Sequence, residues 1–199
     1  MNLYVLISSI LLLGSLFAYL PGILNGIVKP HRTSRLIFLI IDLLTITSLF
    51  AQGNQIALFL SGASVIQSII IFLLSIKYGM GGYSKQDLIC LFMALTGIIL
   101  WRITSNPIIA LYCAISADFI GMIPTIIKTY RFPKTENWIP WAMCSLAAMI
   151  NLLAIENKTL QVISYPLYLM LINFVMVPII FYKHFLPNSK KTRDLSYLL

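Results

Sequence analysis

Residues 116–141 read S-A-D-F-I-G-M-I-P-T-I-I-K-T-Y-R-F-P-K-T-E-N-W-I-P-W. An apolar run carrying an acid, Asp118, and a proline, Pro124, passes into a basic turn. Pro133 and Pro140 flank the start of the next apolar run. Residues 18–34, A-Y-L-P-G-I-L-N-G-I-V-K-P-H-R-T-S, repeat the design. Pro21 and Pro30 are nine residues apart, as are Pro124 and Pro133, and a shift of 103 carries the first pair onto the second. Thr33 and Glu136 then match as the polar residues where each following helix begins. Two copies of one unit predict a pseudo-symmetric bundle with a site between the halves.

The rest of the chain suits a bilayer better than water. Of 199 residues, 59% are hydrophobic and 10% charged, and apolar runs recur along the whole length. That pattern predicts a polytopic helical membrane protein. The net charge of +8 does not argue for nucleic acid, because the cations sit in short loops between apolar runs. Cys90, Cys113 and Cys144 lie inside apolar runs and read as small packing residues. The N-terminus lacks a basic region and a cleavage site, so it reads as a retained first helix.

Seven helices are expected, at about residues 3–28, 36–50, 55–76, 87–101, 107–129, 138–155 and 160–182. A polar turn at 51–54 separates the second and third, and a Gly-rich link at 78–84 leads to the fourth. Lys29, Arg32, Arg35, Lys77, Lys85, Lys128, Arg131, Lys134, Lys183, Lys190, Lys191 and Arg193 all fall on one side of a seven-helix chain. Only Arg102 and Lys158 fall on the other. The positive-inside rule puts the N-terminus outside and the C-terminus in the cytoplasm, in the plasma (inner) membrane.

The repeat reaches beyond the prolines. Gly14, Ala18, Gly22 and Gly26 map onto Ala117, Gly121, Thr125 and Thr129 by the shift of 103, a small-residue stripe for close helix approach. A shift of 106 carries Gln67 onto Asn173 and Lys77 onto Lys183. The expected fold is therefore an all-α membrane protein of seven transmembrane helices arranged 3+1+3 as two parallel three-helix repeats. The first repeat is 1–77, a linker with the fourth helix 78–105, the second repeat 106–185, and a polar cytoplasmic tail 186–199. An odd linker gives both triplets one orientation about an axis along the membrane normal.

This layout resembles the SWEET and SemiSWEET sugar transporters and the wider PQ-loop group, in a divergent, bacterial-type form. The resemblance covers about nine-tenths of the chain. It implies an outside N-terminus, a central pocket with an amide from the third helix and another from the seventh, and hinging prolines in the first and fifth. Gln67 and Asn173 match the amides, and Pro21 and Pro124 the prolines. Gly22 and Thr125 stand where PQ-loop proteins carry Gln, and Phe50 and Leu153 near where the sugar transporters place pocket tryptophans.

Polar residues inside the apolar runs carry the functional expectation. A carboxylate at the bilayer centre costs roughly 2.5 kcal/mol or more, so Asp42 and Asp118 should face a wet cavity, pair, or stay protonated. One reading gives them solute binding or proton coupling; the other, a structural hydrogen bond to a neighbouring helix, on the Thr45 or Ser145 side. Gln67 and Asn173 bind a polar solute in one reading and glue helices in the other. Pro21 and Pro124 read as hinges for alternating access or as ordinary membrane-helix kinks. Tyr168, with Tyr165, supplies an aromatic wall or outer gate; Asn151 reads as packing glue, and Trp138 and Trp141 as interface anchors. His31 and His184 have no Cys or acid at ligand spacing, and no nucleophile–base motif or phosphate loop stands out. Asn157-Lys158-Thr159 is a glycosylation sequon in a short loop.

The expected function is a membrane transporter or facilitator of a small polar solute, sugar or similar, with or without a coupled proton. It is not an enzyme and takes no cofactor. Its partners are the solute and membrane lipid, not nucleic acid, and a homo-oligomer is compatible with the reading. The rival is a non-transporting membrane protein with a lipid-binding or assembly role. A wet cavity reaching Gln67, Asn173 and Asp118 favours the first; a dry, filled core favours the second.

Overall fold

The structure is a computed structural model that describes residues 3–51, 55–82, 84–103, 107–155 and 160–185. Among them are seven α-helices and no strand. They are α1 (Leu3–Leu24), α2 (Arg32–Ala51), α3 (Gln55–Tyr78), α4 (Lys85–Ile103), α5 (Pro107–Arg131), α6 (Trp138–Ala154) and α7 (Leu160–Phe185), with a 3-10 turn at Pro133–Thr135. Asn54, Lys158, the sequon and the tail 186–199 lie outside the described residues.

Local chemistry sets the helix ends. α1 stops four residues before the expected 28, because Gly26 takes a left-handed φ of 70° and Val28 N returns to Gly22 O at 2.8 Å. Ser84 starts α4: its Oγ accepts from Asp87 N at 3.1 Å, and Asp87 Oδ2 accepts from Ser84 N at 3.2 Å. Asn137 caps α6 by accepting from Ile139 N at 3.0 Å. Pro140 follows in the first turn, where a missing N–H costs nothing. α2 and α4, read as short from the sequence, start at Arg32 and Lys85 and run 20 and 19 residues. The Arg32 guanidinium donates to Ser75 O and Gly81 O, each at 3.1 Å, so it satisfies one carbonyl in the last turn of α3 and one in the link beyond it.

Six helices close a ring. α1 packs on α3, α3 on α2, α2 on α5, α5 on α7, α7 on α6, and α6 on α1. α4 lies outside this ring, against α5 and α2. Small residues let two seams close. A Cβ on Gly14 of α1 would lie 2.8 Å from Met143 Cε of α6, and one on Gly121 of α5 would lie 2.6 Å from Ile37 Cγ2 of α2. Three apolar clusters fill the seams. Tyr19, Ile23 and Ile71 join α1 to α3. Ile37, Ala94 and Ala117 join α2, α4 and α5. Met122, Trp141 and Met176 join α5, α6 and α7.

The α1–α2, α3–α4 and α5–α6 turns meet at one end of the bundle. Lys29 N donates to Thr135 O at 2.9 Å, and Met80 N to Pro30 O at 3.0 Å. Gly81 has φ 73°, and a Cβ there would strike the His31 ring, so the link needs glycine. The last turns of α7 reach the same end, where Phe181 packs on Trp138 with ring centroids 4.9 Å apart. Outside, large apolar side chains face outward from α1, α3, α4, α5, α6 and α7, among them Phe17 (70% exposed), Phe92 (72%) and Phe174 (60%). Such an apolar exterior is unsuited to water. Two described stretches, Leu3–Leu24 and Ile163–Tyr182, are long and apolar enough to cross a membrane.

Candidate functional site: a polar cavity inside the helix ring

A cavity of about 370 Å³ occupies the ring, walled by side chains from all six of its helices and, among the described residues, none from α4. It brings together Asp42, Gln67, Asp118 and Asn173, residues far apart in the chain. Each lies on the face of its helix that looks into the ring.

Each polar group has a defined neighbour. Asp42 accepts a hydrogen bond from Ser68 Oγ of α3. Asp118 Oδ2 accepts from Tyr168 OH of α7 at 2.6 Å. Both acids therefore bond across helices and also line the cavity; Ser145 is not their partner, since its Oγ donates to Met170 O at 2.9 Å, and the Thr45 side chain lies outside the described residues. Gln67 Nε2 donates to Ser15 Oγ at 3.3 Å, while its Oε1 is buried with no partner. Asn173 Nδ2 donates to Leu169 O of its own helix at 2.7 Å. The two amides do not bond each other.

Tyr168 lies behind the wall and holds Asp118; Tyr165, 6.5 Å from it between ring centroids, forms the wall itself. Pro21 and Pro124 both sit inside helices, Pro21 exposed and Pro124 buried. Asn151, read as glue, is on the wall.

The end of the cavity nearest the basic turns is shut by a network that the sequence did not reveal. Glu136 Oε2 accepts from Tyr19 OH at 2.8 Å and from Trp141 Nε1 at 3.2 Å. Its Oε1 pairs with Lys128, whose Nζ also donates to Lys29 O at 2.9 Å. Lys128 and Glu136 are buried, and this set of bonds compensates their desolvation. Arg35 donates from Nη2 to Tyr19 OH at 3.2 Å and faces the cavity. Trp141 is thus not an interface anchor: it is buried, 7% exposed, in the cavity floor. Trp138 is the exposed one of the two. Spacing held one usable signal, since Arg35, Phe38 and Asp42 recur at three and seven residues on one helical face.

Below the floor, the fold supplies His31 with the acid that its sequence neighbourhood lacks. His31 Nε2 lies 3.4 Å from Asp87 Oδ1. Burial pushes the His31 imidazole down to about 4; Asp87 pulls it up, and Lys128, Arg32 and Arg35 push it further down.

Comparison with protein-family models, curated proteins and solved structures finds no match to this chain.

Proposed function

We propose that this chain is an integral membrane protein that carries a small polar solute through the ring cavity by alternating access. The cavity itself carries the reading: four half-buried polar side chains on apolar helices converge on one space large enough for a small ligand. The rival lipid-binding or assembly role calls for a filled core.

Packing order supports a 3+1+3 arrangement. The first triplet is ordered α1–α3–α2 and the second α5–α7–α6, and α4 connects them from outside the ring. The seams α1–α6 and α2–α5 correspond under exchange of the triplets, as expected for two parallel repeats. Clustering of the basic turns at one end supports a cytoplasmic placement of that end and an outside N-terminus. In this conformation the Lys128–Glu136–Tyr19–Trp141 network closes the cytoplasmic side, so release inward requires that network to part.

A thermal-shift screen of the purified protein against sugars, amino acids, vitamins and small organic acids tests the reading. One solute class should raise the melting temperature of the wild type. Gln67→Ala and Asn173→Ala should fold and lose that stabilisation, with binding weakened about tenfold or more. Unfolded variants whose remaining folded fraction binds normally would make the amides structural. No stabilisation by any solute, with no uptake in proteoliposomes, would remove the transport reading.

A further inference from the structure

Arg35 stands at the cavity floor without a counter-ion. Its Nε is enclosed and has no acceptor, Nη2 meets only the Tyr19 hydroxyl, and Nη1 has no hydrogen-bond partner among the described residues, on a side chain that lines the cavity. The rings of Tyr19, Trp141 and Phe38 lie 5.2, 5.6 and 5.8 Å from its Cζ. These faces hold the guanidinium in place and favour its charge, but they accept no strong hydrogen bond.

The acids nearby are already engaged. Glu136 serves Lys128 with one oxygen, and Tyr19 and Trp141 with the other. Asp42 serves Ser68 and Asp118 serves Tyr168. Among the described residues no carboxylate lies within ion-pair distance of Arg35. A guanidinium cannot shed its proton to relieve the cost of its position. An uncompensated cation on the wall of a ligand-sized cavity is half of an ion pair whose other half comes from outside the protein.

We propose that Arg35 is an anion subsite and that the carried solute is a small monocarboxylate. The inference rests on the cavity being the solute's path. The Nη1–Nη2 end of the fork suits a planar carboxylate, which accepts two parallel hydrogen bonds. One guanidinium balances one negative charge, so a dianionic phosphate would bring a second, unmatched charge into the cavity. Asp42 and Asp118, with Gln67 and Asn173, give hydroxyl or amine groups at the other end of the solute partners to bond.

The test is thermal melting of the purified full-length protein at constant ionic strength. Lactate, glycerate and alanine are compared with uncharged lactamide, glycerol and glucose, and with glycerol 3-phosphate. A carboxylate should stabilise the wild type and its uncharged counterpart should not. Arg35→Gln should weaken that binding by about tenfold or more, and Arg35→Lys, which keeps the charge and loses the fork, by less. Should Arg35→Gln fail to fold, Arg35→Lys decides by weakened binding of the carboxylate alone. Stabilisation by neutral solutes or the phosphate only, or carboxylate binding unchanged in the Arg35 variants, would overturn the anion subsite and leave transport standing. Silence across the whole panel, together with no uptake, would overturn both.

Discussion

Asp118 is an acid deep in an apolar helix, held by one hydroxyl from Tyr168 and otherwise open to the cavity. Neutral Asn at this position keeps the size and an acceptor oxygen but removes the exchangeable carboxyl proton. Where uptake is driven by a pH gradient, Asp118→Asn should fold, exchange solute between equal pools, and lose accumulation. Accumulation at the wild-type level in that variant would shift the proton role to Asp42. Asp42, Gln67, Asp118 and Asn173 were legible in the sequence because a polar side chain in an apolar run has few affordable places to go. Arg35, Lys128 and Glu136 were not. They lie near helix ends, where cations and acids are expected in water, and only the folding of three turns onto one another turns them inward.

At the level of elements, the small-residue stripe becomes a contact of known distance. Gly121 has no room for a side chain, since Ile37 of α2 occupies its Cβ direction. Gly121→Leu should destabilise the protein by about 1–3 kcal/mol or open the α2–α5 seam, read as a lower melting temperature. Ile37→Ala should recover part of the loss. The α1–α2 turn carries its own pH dependence. The unfolded His31 protonates near 6.5 and the folded one near 4, so the folded state holds it neutral. That contribution is complete above the unfolded value and is lost as pH falls from 6.5 toward 4. The melting temperature should drop across this window, and His31→Gln should flatten the drop; an equal drop in both would assign it elsewhere. Helix existence was legible from apolar period and breakers. The ends were displaced where a Gly at positive φ or a capping side chain acts, as at Gly26 and Ser84.

For the whole molecule, the proposed orientation makes a simple labelling prediction. In a background lacking the native cysteines, Lys85→Cys and Lys134→Cys should be shielded from an impermeant thiol reagent added to intact cells. Ile103→Cys and Leu160→Cys, exposed at the opposite helix ends, should react. The reverse pattern would invert the topology. The paired prolines and the small-residue stripe were legible, but the order in which helices meet was not, because it depends on contacts between residues a hundred positions apart. The position of α4 has a consequence for assembly. By sequence it follows α3, yet it packs on α5 and α2. Two polypeptides divided between Ile103 and Pro107 would each carry one side of the α4–α5 contact and would meet already keyed to each other. Thus α4 fastens the two halves of the sequence together: it follows α3 and leans on both α2 and α5.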